Sequence, residues 1–134
     1  MSRERIASDA APRALGPYAQ AVVAGDLVFC SGQVGIDPGS GALVPGGIAA
    51  ETARVLENLA AVLRAAGLGL QDVVKTTVYL TDLAEFAAMN EVYGRYLPAP
   101  HPARATVQVA KLPAAARVEI EAVAARGRAV GRLS

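Results

Sequence analysis

The chain has 134 residues, of which 53% are hydrophobic and 19% are charged. This length fits one domain with a core that needs no disulfide or metal, and this balance excludes a disordered chain. Thirteen basic and twelve acidic residues leave a formal charge of +1, and aromatic residues make up only 4%. Neither a basic surface for phosphates nor a platform for stacking bases is expected, so a nucleic-acid partner is not predicted.

Residues 1–134 are therefore predicted to form a single domain. Its last part, residues 126–134, holds the one local excess of arginine and is predicted to be a frayed tail rather than a binding arm. The charged N-terminus is followed by no apolar run, which predicts a cytoplasmic protein without a membrane span. Cys30 is the only cysteine, and its apolar neighbours predict a buried, unreactive thiol.

The first half of the chain predicts a hairpin, a helix and a strand. Residues 18–24 and 27–31 are short apolar segments on either side of a turn at Gly25 and Asp26. Apolar residues then recur at three- and four-residue steps over residues 48–66, which predicts a helix that Gly67 ends in a left-handed conformation. Val73–Leu80 is rich in β-branched residues and is the clearest strand.

The second half predicts one more helix and two more strands. Asp82 is placed to cap the helix, with Glu85 as its partner in a capping box, and Pro98 ends it. The inward face of this helix is predicted to consist of Leu83, Phe86, Asn90, Tyr93 and Leu97. Residues 106–109 and 118–124 are the last strands. This order of elements predicts an α+β fold, with about six strands and both helices on one face of the sheet.

That arrangement leaves the second face of the sheet without a cover. Many strand residues are apolar on both faces, which is typical of a sheet that is buried on both sides. Because two helices cover only one face, self-association is the economical explanation for the other.

Few side chains in the sequence are suited to chemistry. His101, the only histidine, lies between two prolines and is predicted to be a loop residue rather than a catalytic base. No HExxH, CxxC, P-loop or dinucleotide-binding motif occurs, so neither a metal nor a cofactor is expected. Arg104 begins a predicted strand, where an arginine often keeps its charged end in solvent. The residues alone leave that surface role open.

A set of ordered motifs changes this interpretation. They are GPYAQA at 16–21, SGQVGIDP at 31–38, NEVY at 90–93, PARATV at 102–107, LP at 112–113 and VEIEA at 118–122. In this order and spacing, over nearly the whole chain, they resemble the Rid/YjgF family of reactive-intermediate deaminases. The resemblance implies a chorismate-mutase-like fold and a homotrimer packed around a central barrel, with a pocket between each pair of neighbouring subunits. Such a trimer would cover the second face of the sheet.

The resemblance also implies an activity that needs no cofactor. Similar proteins hydrolyse short-lived enamines and imines, such as 2-aminoacrylate and 2-iminopropanoate, to 2-keto acids and ammonia. Arg104 would then bind the carboxylate of the small imino or keto acid, since its planar fork suits bidentate binding. Glu119 would orient the attacking water or act as general base, and Tyr18 would donate a hydrogen bond or line the pocket.

Four further residues take lesser roles from the same resemblance. Ser31, Gly32 and Thr106 would contact the substrate, and Asn90 would hold the segment that carries Arg104. Glu51 stands where relatives often have glutamine, and it is predicted to be an exposed helix residue of little consequence.

Two other functions stay open at this point. One is a non-catalytic trimer that binds a carboxylate metabolite or acts like a chaperone. The other is endoribonuclease activity or inhibition of translation, which the near-zero charge and scarce aromatic residues disfavour.

Overall fold

The structure is a computed structural model that describes residues 3–126. One six-stranded sheet has the strand order β1-β2-β3-β6-β4-β5, in which β4 and β5 run parallel and all other neighbours run antiparallel. The strands are β1 (Glu4–Ile6), β2 (Ala21–Ala24), β3 (Leu27–Val34), β4 (Val73–Leu80), β5 (Ala103–Gln108) and β6 (Val118–Ala125), and the helices are α1 (Gly47–Ala65) and α2 (Phe86–Tyr96). The predicted mixed sheet of about six strands with two helices is confirmed.

The core lies between one face of the sheet and the two helices. Along β6 the residues alternate, and the inward set is fully or almost fully buried: Val118, Ile120, Ala122 and Ala124. Helix α1 lies against β3 and β6 and presents Leu56, Leu59 and Leu63 to this face. Each such side chain contributes about 1.5–3 kcal/mol through burial, so this layer supplies most of the stability of the fold.

Within residues 3–126, no helix covers the other side of the sheet, here called the open face. It includes Phe29, Tyr79, Val107, Glu119 and Val123, which the strand register places on the side opposite the core. Phe29 and Val107 are 46% and 43% exposed, although both are large and apolar. Large apolar side chains exposed in this way are a feature that a partner surface would cover.

Several predicted boundaries are confirmed. Strand β4 begins and ends where its β-branched run predicts, and α1 covers residues 47–65 against a prediction of 48–66. Gly67 follows α1 with a φ of 78°, the left-handed conformation expected of a residue that ends a helix. Neither helix described within residues 3–126 is long and apolar enough to cross a bilayer.

Other predicted details are wrong. Strand β1 was not predicted, because three residues are too few to show a pattern, and β5 begins at Ala103 rather than at residue 106. Asp82 does accept a hydrogen bond from Ala84 N at 2.9 Å, but it caps a short 3-10 turn that precedes α2. The predicted capping box is absent there because the Glu85 carboxylate turns away to bind Arg117.

The predicted C-terminal tail begins at Arg126, which is the last described residue. Arg126 N donates a hydrogen bond to Asp26 O at 2.8 Å, so the chain is still attached to the β2–β3 turn at that point. The rest of the predicted tail, residues 127–134 with Arg128 and Arg132, lies outside the described residues.

Candidate functional site

Arg104 lies on the edge strand β5, where it pairs with Thr76 of β4 and so shares the face on which the helices lie. Its Nη1 donates a hydrogen bond to Asn90 Oδ1 at 2.7 Å. Its guanidinium carbon lies 5.4 Å from the centre of the Phe86 ring and 4.8 Å from that of Tyr93. These distances are within the range of cation–π attraction, so α2 holds the guanidinium in a fixed orientation. The four residues Arg104, Asn90, Phe86 and Tyr93 are called the arginine clamp below.

A buried hydrogen bond holds Tyr93 of the arginine clamp in position. Tyr93 is only 5% exposed, and its hydroxyl lies 2.7 Å from Thr76 Oγ1. Thr76 is also the residue of β4 that pairs with Arg104 on β5. The same residue therefore fixes the position of Arg104 and that of the Tyr93 ring. Thr106, two residues after Arg104 on the same face of β5, is half-buried.

The predicted inward face of α2 is therefore partly wrong. Tyr93 and Leu97 are buried as predicted, but Leu83 is 45% exposed and Phe86 is 36% exposed. Helix α2 reaches the edge of the sheet, so one flank of it meets Arg104 instead of the core. The 86, 90, 93 spacing that was read as a core stripe is the signal that could have identified Phe86 and Tyr93 as site residues.

A second group of predicted residues lines an open groove with a volume of about 950 Å³. Tyr18, Ser31, Gly32 and Glu119 all face this groove, called the β3–β6 groove below. Ser31 Oγ donates to Ala19 O at 2.7 Å, and Ser31 N donates to Gln20 O at 3.0 Å. These bonds fix the Tyr18 segment on β3, while the Tyr18 side chain stays 56% exposed and available to a ligand.

Glu119 is placed by the absence of a side chain on Gly32. A Cβ built at position 32 would overlap the Glu119 carboxylate, so only glycine permits this close approach. Burial raises the pKa of Glu119, and the nearby charge of Glu121 raises it further. Both effects make the carboxylate a better proton acceptor than an exposed glutamate.

Within one chain the arginine clamp and the β3–β6 groove do not meet. Glu119 pairs with Tyr79, which pairs with Val107 on β5, so two strand spacings and three residues separate Glu119 from Arg104. That corresponds to roughly 14 Å between Cα atoms. The two side chains also leave the sheet on opposite faces, since Glu119 lies on the open face.

Glu51 contradicts its prediction as an exposed residue. It is 3% exposed, and its Oε1 accepts a hydrogen bond from Arg117 N at 2.8 Å. The prediction failed because the partner lies 66 residues away in sequence, on the loop that precedes β6. A helical pattern alone cannot show such a partner.

The remaining candidates take no part in either group. Cys30 is buried, as predicted, and burial raises its pKa to about 11. His101 is exposed, with Nδ1 3.0 Å from Leu97 O. Among residues 3–126, no three histidine, cysteine, aspartate or glutamate side chains come together as a metal site.

Known proteins resemble this chain over most of its length. Residues 8–126 match the family described as endoribonuclease L-PSP. Protein DfrA of Myxococcus xanthus is 53% identical over 126 residues, covering 92% of this chain and 96% of that protein. The 2-iminobutanoate/2-iminopropanoate deaminase of Mus musculus is 50% identical over 125 residues, 93% of each. The crystal structure of RidA from Psychrobacter sp. PAMC 21119 superposes with a TM-score of 0.88 at 48% identity, covering 91% of this chain and 98% of that one.

Proposed function

The chain belongs to the Rid/YjgF family, and on that premise we propose that it hydrolyses reactive 2-imino acids and their enamine tautomers to 2-keto acids and ammonia. Relatives named 2-iminobutanoate/2-iminopropanoate deaminase support this activity. Other relatives carry other names, such as Protein DfrA, and the family is described as endoribonuclease L-PSP, so the geometry of the site has to support the activity.

The arginine clamp is the observation that carries the proposal. Asn90 occupies one Nη1 donor of Arg104, and two aromatic rings restrain the guanidinium plane. The remaining donors form a rigid fork, which matches the two oxygens of a carboxylate. A small 2-imino acid presents such a carboxylate next to its reactive carbon. Binding by this fork would therefore place that carbon at a fixed distance from the clamp.

Glu119 is proposed as the general base. Water adds its oxygen to the imine carbon and gives a proton to Glu119, while the nitrogen takes up a proton from solvent as the C=N bond becomes single. In the tetrahedral intermediate Glu119 then returns its proton to the nitrogen. The C–N bond breaks to release ammonia, and the hydroxyl gives its proton to solvent as the C=O bond forms. The raised pKa of Glu119 suits both transfers. Tyr18 lines the same groove, which supports a role for its hydroxyl as a hydrogen-bond donor to the substrate.

This mechanism requires two copies of the chain. Because Arg104 and Glu119 project from opposite faces of one sheet, we propose that the clamp of one subunit faces the β3–β6 groove of its neighbour. A homotrimer whose open faces line a central barrel would produce three such pockets. The exposed Phe29 and Val107 support this arrangement, and a cytoplasmic location stays a prediction.

The test is the rate at which keto acid forms from freshly generated 2-iminopropanoate. Wild-type protein is expected to accelerate this reaction, and R104A is expected to lower kcat/KM by about a hundredfold, because two charged hydrogen bonds to the carboxylate are lost. R104K should restore only part of the rate, since lysine cannot bind two oxygens as a fork. Equal rates for wild type and R104A would disprove the proposal. Binding of a 2-keto acid without any acceleration would favour a carboxylate-binding protein instead.

A further inference from the structure

The loop that connects β5 to β6 contains two alanines in a left-handed conformation. Ala114 has a φ of 60° and Ala115 a φ of 58°. This region disfavours any residue with a Cβ, and it persists only where surrounding contacts enforce it. Pro113 and Ala114 line the β3–β6 groove. The wall of the groove is therefore built from backbone that would not adopt this shape by itself.

Arg117 is the point at which this loop is fixed. Its backbone N donates to Glu51 Oε1 at 2.8 Å, and its backbone O accepts from Thr81 N at 3.1 Å. Its Nη1 donates to Glu85 Oε2 at 2.8 Å. The backbone and the side chain of one residue are thus held from three different segments of the chain, and Arg117 lies only two residues before Glu119.

Glu51 has little freedom to move. Helix α1 passes so close to the residue after β3 that a Cβ built on Gly35 would lie 2.9 Å from Glu51 Cα. The Glu51 side chain is buried, and a buried carboxylate costs free energy that an apolar side chain of the same size would not. The presence of a buried glutamate at position 51 is thus better explained by its hydrogen bond to the loop than by packing.

We propose that Glu51 is a positioning residue. From α1, which contributes no side chain to the β3–β6 groove, it fixes Arg117 and thereby both the Pro113–Ala115 wall and Glu119. This inference deepens the proposed function and rests on it. Its direct physical consequence is that the acceptor oxygen at position 51 sets the orientation of the general base. Glu51 Oε2 also forms an ion pair with Arg117 Nε at 3.8 Å, but this contact adds little because the Arg117 side chain is half exposed.

Two variants of similar size separate the effect of the hydrogen-bond acceptor at position 51 from the effect of packing. E51Q keeps an oxygen that accepts from Arg117 N, whereas E51M fills the same space without an acceptor. We expect E51Q to stay within about threefold of the wild-type kcat/KM and E51M to lose about tenfold or more. The loss should appear in kcat, because the arginine clamp, which the neighbouring subunit contributes to the proposed pocket, still binds the substrate. E57Q, at a more exposed glutamate of the same helix, should behave as wild type.

Amide hydrogen exchange at Arg117 provides a readout that does not depend on activity. Exchange should be about tenfold faster in E51M than in wild type and unchanged in E51Q. If E51M does not fold, E51S replaces it, since a water molecule can then bind Arg117 N without fixing its position. Wild-type kcat and exchange in folded E51M or E51S would overturn the inference, as would a loss confined to KM. If wild-type protein does not hydrolyse imines, the proposed function fails, and exchange alone decides whether Glu51 holds the loop.

Discussion

Arg104 is a residue type that often keeps its charged end in solvent, yet its guanidinium is ordered here by contacts with α2. Asn90 accepts a hydrogen bond from one of its donors, and the rings of Phe86 and Tyr93 lie within cation–π distance. The buried hydrogen bond between Tyr93 and Thr76 holds the Tyr93 ring in place. Each contact removes freedom from the guanidinium before any ligand arrives. A ligand then binds a group that is already ordered, so less entropy is lost on binding.

Glu121 should tune the proton affinity of Glu119. The two carboxylates lie two residues apart on the open side of β6, and the charge of Glu121 raises the pKa of Glu119. A base works only when deprotonated, so kcat/KM should rise with pH and level off above that pKa. E121Q removes the like charge, which lowers the pKa and moves the midpoint of the profile to lower pH. Because burial still acts on Glu119, the midpoint should stay above the ordinary value of 4.5.

The measurement is kcat/KM for imine hydrolysis as a function of pH in both proteins. E91Q is the control, because Glu91 is an exposed residue of α2 that pairs with Arg95. Its profile should coincide with that of wild type. A midpoint in E121Q at the wild-type pH, or above it, would show that Glu121 does not act on the base.

Sequence patterns predicted correctly those helices and strands whose structure depends mainly on their own residues. The β-branched run of β4 and the apolar stripe of α1 each contain the information that defines the element, and both were predicted to within one residue. One flank of α2 was wrongly predicted to face the core, because Phe86 and Asn90 contact Arg104 on β5 instead. The burial of Glu51 was missed for the same reason. What sequence patterns could not supply was contact between distant segments, and both halves of the candidate site depend on it.

The left-handed loop between β5 and β6 predicts a gain in stability from glycine. At a φ of 60°, Ala114 bears a conformational cost of about 1–2 kcal/mol that glycine does not. Glycine loses about 0.4–1 kcal/mol through the greater freedom of the unfolded chain. A114G should therefore raise the free energy of unfolding by about 0.5–1 kcal/mol, measured by urea titration.

Ala116 provides the matched control in the same loop. It is extended, with a φ of −68°, and only 2% exposed. A116G should lower the free energy of unfolding by about 1 kcal/mol, since it gains no relief of strain and loses a buried methyl group. If A114G is destabilised as much as A116G, the left-handed alanine carries no strain.

For the whole molecule, the open face predicts an assembly larger than the 13.7 kDa chain. V107K places a charge among the exposed apolar residues of this face and should shift the sedimentation of the protein towards that of a monomer. R64E changes a charge at the exposed end of α1, on the opposite side of the sheet, and should leave the assembly intact. A wild-type monomer would contradict the proposed trimer.

Mixing two inactive variants tests whether neighbouring copies share each pocket. R104A retains Glu119 and E119Q retains Arg104, so refolding them together should restore complete pockets. Random assembly of equal amounts gives about a quarter of the wild-type number. If mixing restores no activity, Arg104 and Glu119 do not come from neighbouring copies.

Cys30 has a practical consequence for all these measurements. It is the only thiol in the chain, it is buried, and its pKa of about 11 leaves almost no thiolate at neutral pH. Alkylating reagents attack the thiolate, so the folded protein should resist labelling while unfolded chains react. The molecule therefore contains its own unfolding probe, and mass spectrometry after a timed pulse of reagent would count the unfolded molecules without an engineered tag or dye.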